Sequence, residues 1–141
     1  MPENAVIVDA GPLVAMLVAE DTWHEWAAAR LAELEPPLLC CEAVLTETSH
    51  LVQKYRNGPL HFAQLLKSGV LELSFRLVDE REALISLMRK YADLPMSLAD
   101  ACLVRMAERY PRSAVFTLDG HFRIYRKHGR QQIPLIIPPT A

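Results

Sequence analysis

The strongest indication of the fold lies at residues 5–13, which read AVIVDAGPL. Its first four residues are apolar and partly β-branched, which is typical of a strand that is covered on both faces. The Gly-Pro pair at 11–12 favours the start of a helix, since proline is tolerated in a first helical turn. Asp9 lies between the two, at the strand end where open α/β sheets bind their ligands. The alternative interpretation of Asp9 is a turn or near-cap acid.

Apolar runs and helical segments alternate along the rest of the chain. Further strands are predicted at 38–41, 70–75, 114–118 and 135–137, and further helices at about 21–34, 42–55, 59–67, 79–92, 97–110 and 122–128. Strands that are separated by helices pair in parallel. The predicted fold class is therefore α/β, a three-layer α/β/α sandwich with a central, mainly parallel sheet, in one domain over residues 1–141.

The composition predicts a folded globular chain and excludes several classes of protein. Of the 141 residues, 51% are apolar and 23% are charged, which excludes collagen-like, low-complexity and disordered chains. Asp9 and the Gly-Pro pair interrupt the longest apolar stretch, at 5–19, so we expect no membrane span and no signal peptide. Cys40, Cys41 and Cys102 are poorly spaced for disulfides or a zinc site, which favours reduced thiols and a cytoplasmic location.

Three more acids resemble Asp9 in having apolar surroundings or a place at a strand end. Glu47 and Asp100 lie in predicted helices among mostly apolar neighbours, and Asp119 follows the strand at 114–118. Each has a simpler interpretation. Glu47 is alternatively a boundary residue that reaches solvent, Asp100 completes a capping box with Ser97, and Asp119 is a turn or cap acid before Gly120.

The four acids suggest a common chemistry if the sheet brings them together at one edge. Four carboxylates in one site repel each other, and a divalent cation relieves that repulsion. Oxygen donors without a cysteine or histidine cluster suit Mg²⁺ or Mn²⁺ better than zinc. Such an ion would polarise a phosphate group and activate a water molecule, which implies phosphodiester hydrolysis. Gly11 stands where a haloacid-dehalogenase-like phosphatase needs a second Asp, and no phosphate-loop Lys follows.

The charge of the chain is unevenly distributed. The net charge is −2, so no overall basic excess indicates nucleic acid. Residues 120–141 nevertheless contain no acid, which leaves eleven basic against seventeen acidic residues, or −6, for the remainder. This segment predicts a negatively charged partner, and a solvated helix face is the alternative. Its basic residues are Arg123, Arg126, Lys127 and Arg130.

Four stretches that contain the acids resemble the PIN-domain nucleases, and most closely their VapC-like branch, the ribonuclease toxins of toxin–antitoxin pairs. They are VDAGPL at 8–13, TE at 46–47, LPMSLADA at 94–101 and FTLDGHF at 116–122. The resemblance implies a Mg²⁺- or Mn²⁺-dependent endoribonuclease that cuts single-stranded or structured RNA. The metal ligands and catalytic residues that it implies are Asp9, Glu47, Asp100 and Asp119, with Ser97 and Thr117 as supporting hydroxyls.

The resemblance also implies partners. Members of this branch usually form homodimers, and an antitoxin protein inhibits the toxins by occupying the groove at the acidic site. The basic residues Arg123, Arg126, Lys127 and Arg130 would then hold the RNA backbone. Trp23 and Trp26 either line a partner surface or pack in the core of this chain. Tyr125 either stacks on a base or packs in the core.

Two positions depart from the pattern of the family. Ala10 stands where many relatives have Ser or Thr, and His121 where some have a further acid. Both departures bear on metal affinity and on the number of ions. One alternative is therefore a weak or inactive PIN-like module that binds RNA or protein, and another is a nuclease for DNA or structured RNA.

Overall fold

The central feature of the computed structural model, which describes residues 4–141, is a parallel sheet. Seven strands are present in this part of the chain: β1 Ala5–Val8, β2 Leu38–Leu39, β3 Leu71–Glu72, β4 Ser113–Phe116, β5 Arg126–Lys127, β6 Gln131–Gln132 and β7 Leu135–Ile136. Five of them form one sheet in the order β3-β2-β1-β4-β7, and every pair in it is parallel. The prediction of a mainly parallel sheet is confirmed.

Helices connect the strands and cover both faces of the sheet. Their bounds are α1 Ala10–Leu17, α2 His24–Glu33, α3 Glu42–Val52, α4 Gly58–Ser68, α5 Arg81–Lys90 and α6 Leu98–Arg109, with short 3-10 helices at Leu77–Glu80 and Gly120–Arg123. The strand order reverses its direction across the sheet after β3, and the rule that parallel crossovers are right-handed then predicts α1 to α4 on one face and α5 and α6 on the other. Within residues 4–141, no helix is long and apolar enough to span a bilayer.

The core lies around the two central strands. Ile7, Val8, Val115 and Phe116 of β1 and β4 are almost completely buried. Trp26 of α2 packs edge-on against Phe116, with ring centroids 5.6 Å apart. Trp23 and Trp26 are both partly buried and packed against this core cluster, as the core interpretation predicted.

One predicted element is wrong. The expected helix at 122–128 is a 3-10 helix that ends at Arg123, followed by the antiparallel hairpin β5–β6. The spacing of Phe122 and Tyr125 imitates one turn of a helix, but the chain reverses at His128 and Gly129, which have φ angles of 51° and 81°. Left-handed backbone of this kind ends helical structure and permits a tight hairpin.

A candidate metal-binding carboxylate site

The register between β1 and β4 brings Asp9 and Thr117 together. Val8 pairs with Phe116, so the next residue of each strand lies at the same edge of the sheet. The N–H of Asp9 donates to the carbonyl oxygen of Phe116 at 2.9 Å. The Thr117 hydroxyl then donates to Asp9 Oδ2 at 2.7 Å, and the N–H of Ala10 donates to Asp9 Oδ1 at 2.7 Å. Asp9 is only 7% exposed, and it is also the N-cap of α1.

Asp119 is held at the same edge by the turn that follows β4. Its backbone N–H donates to the Thr117 hydroxyl at 3.0 Å, so one threonine contacts both acidic residues. Asp119 Oδ1 accepts from the N–H of His121 at 2.9 Å and lies 3.2 Å from His121 Nδ1. Asp119 is therefore the cap of the short 3-10 helix, while its carboxylate remains partly exposed.

Asp100 lies in the first turn of α6, where a capping box orients it. The N–H of Asp100 donates to the Ser97 hydroxyl at 3.0 Å, and the N–H of Ser97 donates to Asp100 Oδ2 at 3.4 Å. The Tyr125 hydroxyl donates to the same oxygen at 3.0 Å. Its burial raises the pKa of the Tyr125 hydroxyl, and the Asp100 charge raises it further, so the phenol keeps its proton.

Glu47 is linked to the site by electrostatics and not by a hydrogen bond among the described residues. It lies in the middle of α3, which packs against α6, and its side chain is at the solvent edge. Partial burial raises the pKa of Glu47, and the charges of Asp100 and Asp119 raise it further. The pKa of Asp100 is likewise raised, first by burial and then by Asp119. The charge of Asp119 therefore acts on both Glu47 and Asp100, and the charge of Asp100 acts on Glu47.

Asp9 is the most deeply buried acid of the site, and its pKa is strongly raised. Burial raises its pKa from the ordinary 3.8 to about 7, and the charges of Asp100 and Glu47 act in the same direction. The hydrogen bonds from Thr117 and Ala10 offset only part of that effect. Within residues 4–141, no Lys or Arg forms an ion pair with Asp9, Glu47 or Asp100. These three carboxylates therefore have no ion-pair partner among the described Lys and Arg residues.

The donor set fits a hard divalent cation. Carboxylate oxygens are the preferred protein ligands of Mg²⁺ and Mn²⁺. Among residues 4–141, no group of three His, Cys, Asp or Glu side chains stands close enough to form a ready-made cage.

The predicted RNA-binding residues differ in how their charges are used. Arg123 donates to the carbonyl oxygens of Pro138 and Ala141, and Arg126 Nη1 donates to three carbonyl oxygens of residues 123–125. Arg130 is exposed. Lys127 is only 6% exposed, and its Nζ donates to the Pro111 carbonyl oxygen at 3.3 Å. The prediction that Lys127 contacts RNA is wrong, because its ammonium group is buried and bonded within the protein.

Tyr125 is a site residue that the sequence reasoning missed. Base stacking and core packing were the two interpretations, and the structure buries the ring completely. The contact with Asp100 joins residues 25 apart and depends on the unexpected hairpin, so spacing along the chain gives no signal for it. Cys40, Cys41 and Cys102 are free and buried, as predicted for reduced core residues.

Comparisons with known proteins agree with this geometry. The family model described as PIN domain matches residues 6–127. Ribonuclease VapC26 of Mycobacterium tuberculosis is 28% identical over 134 residues, which cover 93% of this chain and 99% of that protein. The fold is also similar to the crystal structure of M. tuberculosis VapC20, which is described as a sarcin-ricin loop cleaving toxin. The two structures superpose with a TM-score of 0.73 at 20% sequence identity, and the match covers 82% of this chain and 91% of the VapC20 chain. The fold and the VapC-like resemblance are thereby confirmed.

Proposed function

Because the chain belongs to the PIN-domain family, we propose that it is a Mg²⁺- or Mn²⁺-dependent endoribonuclease, either the toxin of a toxin–antitoxin pair or a solitary relative. One observation carries the proposal: Thr117 joins Asp9 and Asp119 at one sheet edge, and neighbouring carboxylates help to raise the pKa values of Asp9, Glu47 and Asp100. Perturbed acids that cluster in this way are typical of functional sites. The name of VapC26 supports a ribonuclease.

The four carboxylates would hold the ion, and the surrounding donors prepare them for it. When bound, a divalent cation supplies Lewis acidity at a phosphate oxygen and lowers the pKa of a water molecule. Thr117 donates to Asp9 and therefore favours its ionised form, although burial opposes it. Ser97 orients Asp100 through two hydrogen bonds. Its hydroxyl oxygen accepts from the N–H of Asp100, and its own N–H donates to Asp100 Oδ2. These residues hold the acceptors in place before RNA arrives, which reduces the reorganisation needed for the reaction.

The RNA backbone requires positive charge beside this acidic site. Within the described residues, Arg126 uses only Nη1 in its bonds to carbonyl oxygens, which leaves Nε and Nη2 to meet a phosphate. Arg130 is exposed on the same hairpin, and Arg123 is exposed at the end of the 3-10 helix that Asp119 caps. We assign backbone binding to these three arginines. Counterion release would then make RNA affinity depend on salt concentration.

The decisive experiment is cleavage of a labelled, mixed-sequence RNA by the purified chain with Mg²⁺ or Mn²⁺. Cleavage is expected with either ion and is expected to disappear with EDTA and in the Asp100→Asn variant, which keeps the shape of the side chain but loses its charge. Asp79→Asn is the matched control, because Asp79 is an exposed acid whose carboxylate pairs with Arg76. Intact RNA with both ions, or full activity of Asp100→Asn, would contradict the proposal.

The same assay separates the alternative substrates. A single-stranded DNA of the same sequence tests the DNA nuclease, and a sarcin-ricin loop RNA tests the structured target that VapC20 is described as cleaving. Faster cleavage of the loop than of the mixed RNA would assign a structured substrate. Binding of RNA without cleavage under all conditions would favour the inactive module.

An antitoxin and a second copy of the chain complete the proposal. A short neighbouring reading frame that encodes a DNA-binding protein would favour the toxin, and co-expression of its product is expected to suppress cleavage. Sedimentation of the purified chain is expected to show a homodimer. We place both the chain and its RNA in the cytoplasm, in keeping with three free thiols.

A further inference from the structure

The ring of Tyr125 lies in the core, and its hydroxyl lies at the carboxylate site. The side chain is 0% exposed. Its ring meets Tyr91 and Phe122 edge-on, at centroid distances of 5.0 Å and 5.1 Å. Its backbone N–H donates to the His121 carbonyl oxygen at 3.1 Å, which anchors the residue to the 3-10 helix beside Asp119. Close packing on two sides restricts the ring to one orientation, so the position of the hydroxyl is well defined.

The hydroxyl contacts only one of the two oxygens of Asp100. It donates to Oδ2 at 3.0 Å, and the N–H of Ser97 reaches the same oxygen at 3.4 Å. Among residues 4–141, no hydrogen bond to Asp100 Oδ1 is present. Two donors on Oδ2 restrict rotation of the carboxylate about its χ2 bond. Oδ1 is then available to another ligand. Metal-binding carboxylates are commonly held in this way by hydrogen bonds behind the ligand atom.

We infer that Tyr125 is a positioning residue for Asp100, whose carboxylate it holds by Oδ2 so that Oδ1 is available to a divalent cation. This inference rests on the proposed function, because it assigns Asp100 as a metal ligand. Removing a hydrogen-bond partner behind a ligand typically lowers metal affinity about 10- to 100-fold. The Tyr125→Phe variant keeps the ring and its packing and removes only the donor. It therefore isolates the contribution of the hydroxyl.

A purely structural role makes a different prediction. Buried hydroxyl groups nearly always have a partner, and Asp100 is a convenient acceptor for this one. Tyr91 provides a matched control, since it is also buried and lies against the same ring. Its hydroxyl accepts from the N–H of Arg126 at 2.8 Å and, within residues 4–141, has no bond to an acid of the site. Tyr91→Phe thus removes a comparable buried hydroxyl from the same aromatic cluster.

The test measures Mn²⁺ binding directly, by titrating each protein with MnCl₂ and following free Mn²⁺ by electron paramagnetic resonance. The Kd of Tyr125→Phe is expected to rise about tenfold or more, and that of Tyr91→Phe is expected to equal that of the wild type. Urea unfolding without metal is expected to show similar stability losses in both variants. In RNA cleavage, the Mn²⁺ concentration at half-maximal rate should rise by the same factor for Tyr125→Phe, with little change in rate at saturating Mn²⁺.

Each outcome distinguishes the inference from the proposed function. Equal Mn²⁺ affinity in the wild type and Tyr125→Phe would overturn the role of Tyr125 and leave the proposed function standing. Equal weakening in both variants would also overturn it, because the effect would then come from the aromatic cluster as a whole. A wild-type chain that neither binds Mn²⁺ nor cuts RNA would overturn the proposed function and this inference with it.

Discussion

Replacing Asp9 by Asn is expected to make the metal-free protein more stable at alkaline pH. Burial raises the pKa of Asp9 from 3.8 to about 7, so the folded state keeps a proton that the unfolded state has lost over this range. The free energy of unfolding therefore falls as the pH rises from about 4 to about 7, and it levels off above that range. At 1.36 kcal/mol for each pKa unit, the loss is about 4 kcal/mol. No correction for exposure is needed, because Asp9 is 7% exposed.

The amide of the Asp9→Asn variant has no such titration but loses a hydrogen bond. One amide oxygen cannot replace the two carboxylate oxygens that accept from Thr117 and Ala10. That loss costs about 1 kcal/mol at every pH. The variant should therefore be less stable than the wild type near pH 4 and about 3 kcal/mol more stable at pH 8.

The assay is urea unfolding in EDTA at pH 5, 6, 7 and 8, with Asp79→Asn as an exposed control. The difference in unfolding free energy between Asp9→Asn and the wild type is expected to grow with pH, by about 3 kcal/mol from pH 5 to pH 8. The control difference should stay constant. Saturating Mn²⁺ should reverse the order at pH 8, because the ion stabilises the charged Asp9 of the wild type. A difference between Asp9→Asn and the wild type that does not change with pH would contradict a raised pKa of Asp9 in the folded protein.

Two further substitutions test the donors and the basic segment. Thr117→Val keeps the shape of a buried side chain but removes the donor to Asp9. We therefore expect a loss of about 1–3 kcal/mol in the free energy of unfolding, and slower RNA cleavage at pH 7 that recovers partly at higher pH. Cleavage rates measured across pH check this, and a pH–rate profile equal to that of the wild type would contradict it. Arg126→Ala should weaken RNA binding and make its dependence on salt shallower, whereas Lys67→Ala, at the end of α4 that leads into β3, should change neither. Filter binding across a salt series measures both slopes, and equal slopes for Arg126→Ala and wild type would remove the assigned role.

The central part of the fold was predictable because hydrophobic burial determines it. The apolar runs at 5–8 and 114–118 correspond to the central strands β1 and β4, and the alternating run at 70–75 contains the edge strand β3. Burial acts on each of these segments independently, so a short window of sequence is enough to predict them. The segment after Asp119 differs. Its chain path depends on left-handed backbone at His128 and Gly129, and the apolar spacing of Phe122 and Tyr125 imitates a helix.

The carboxylate site was predictable as a set of residues and not as a geometry. Residue type and position after apolar strands single out Asp9 and Asp119, but no local pattern reports which side chains meet across the sheet. Thr117 was placed near the site only through family resemblance, and the register of β1 and β4 now accounts for its bond to Asp9. The contact of Tyr125 with Asp100 depends on a hairpin that the pattern did not predict.

The capping interpretations and the metal interpretation of these acids are compatible, and the bonding of each oxygen explains why. Asp9, Asp100 and Asp119 all have the cap bonds that the simpler interpretations required. Asp100 and Asp119 each accept the cap bond through one carboxylate oxygen. Each oxygen of Asp9 accepts one hydrogen bond, although a carboxylate oxygen can accept about two. The cap donors are neutral, so they orient the carboxylates and leave their negative charge in place. An arginine in the same position would cancel that charge. The negative potential at this edge therefore remains available to attract a cation.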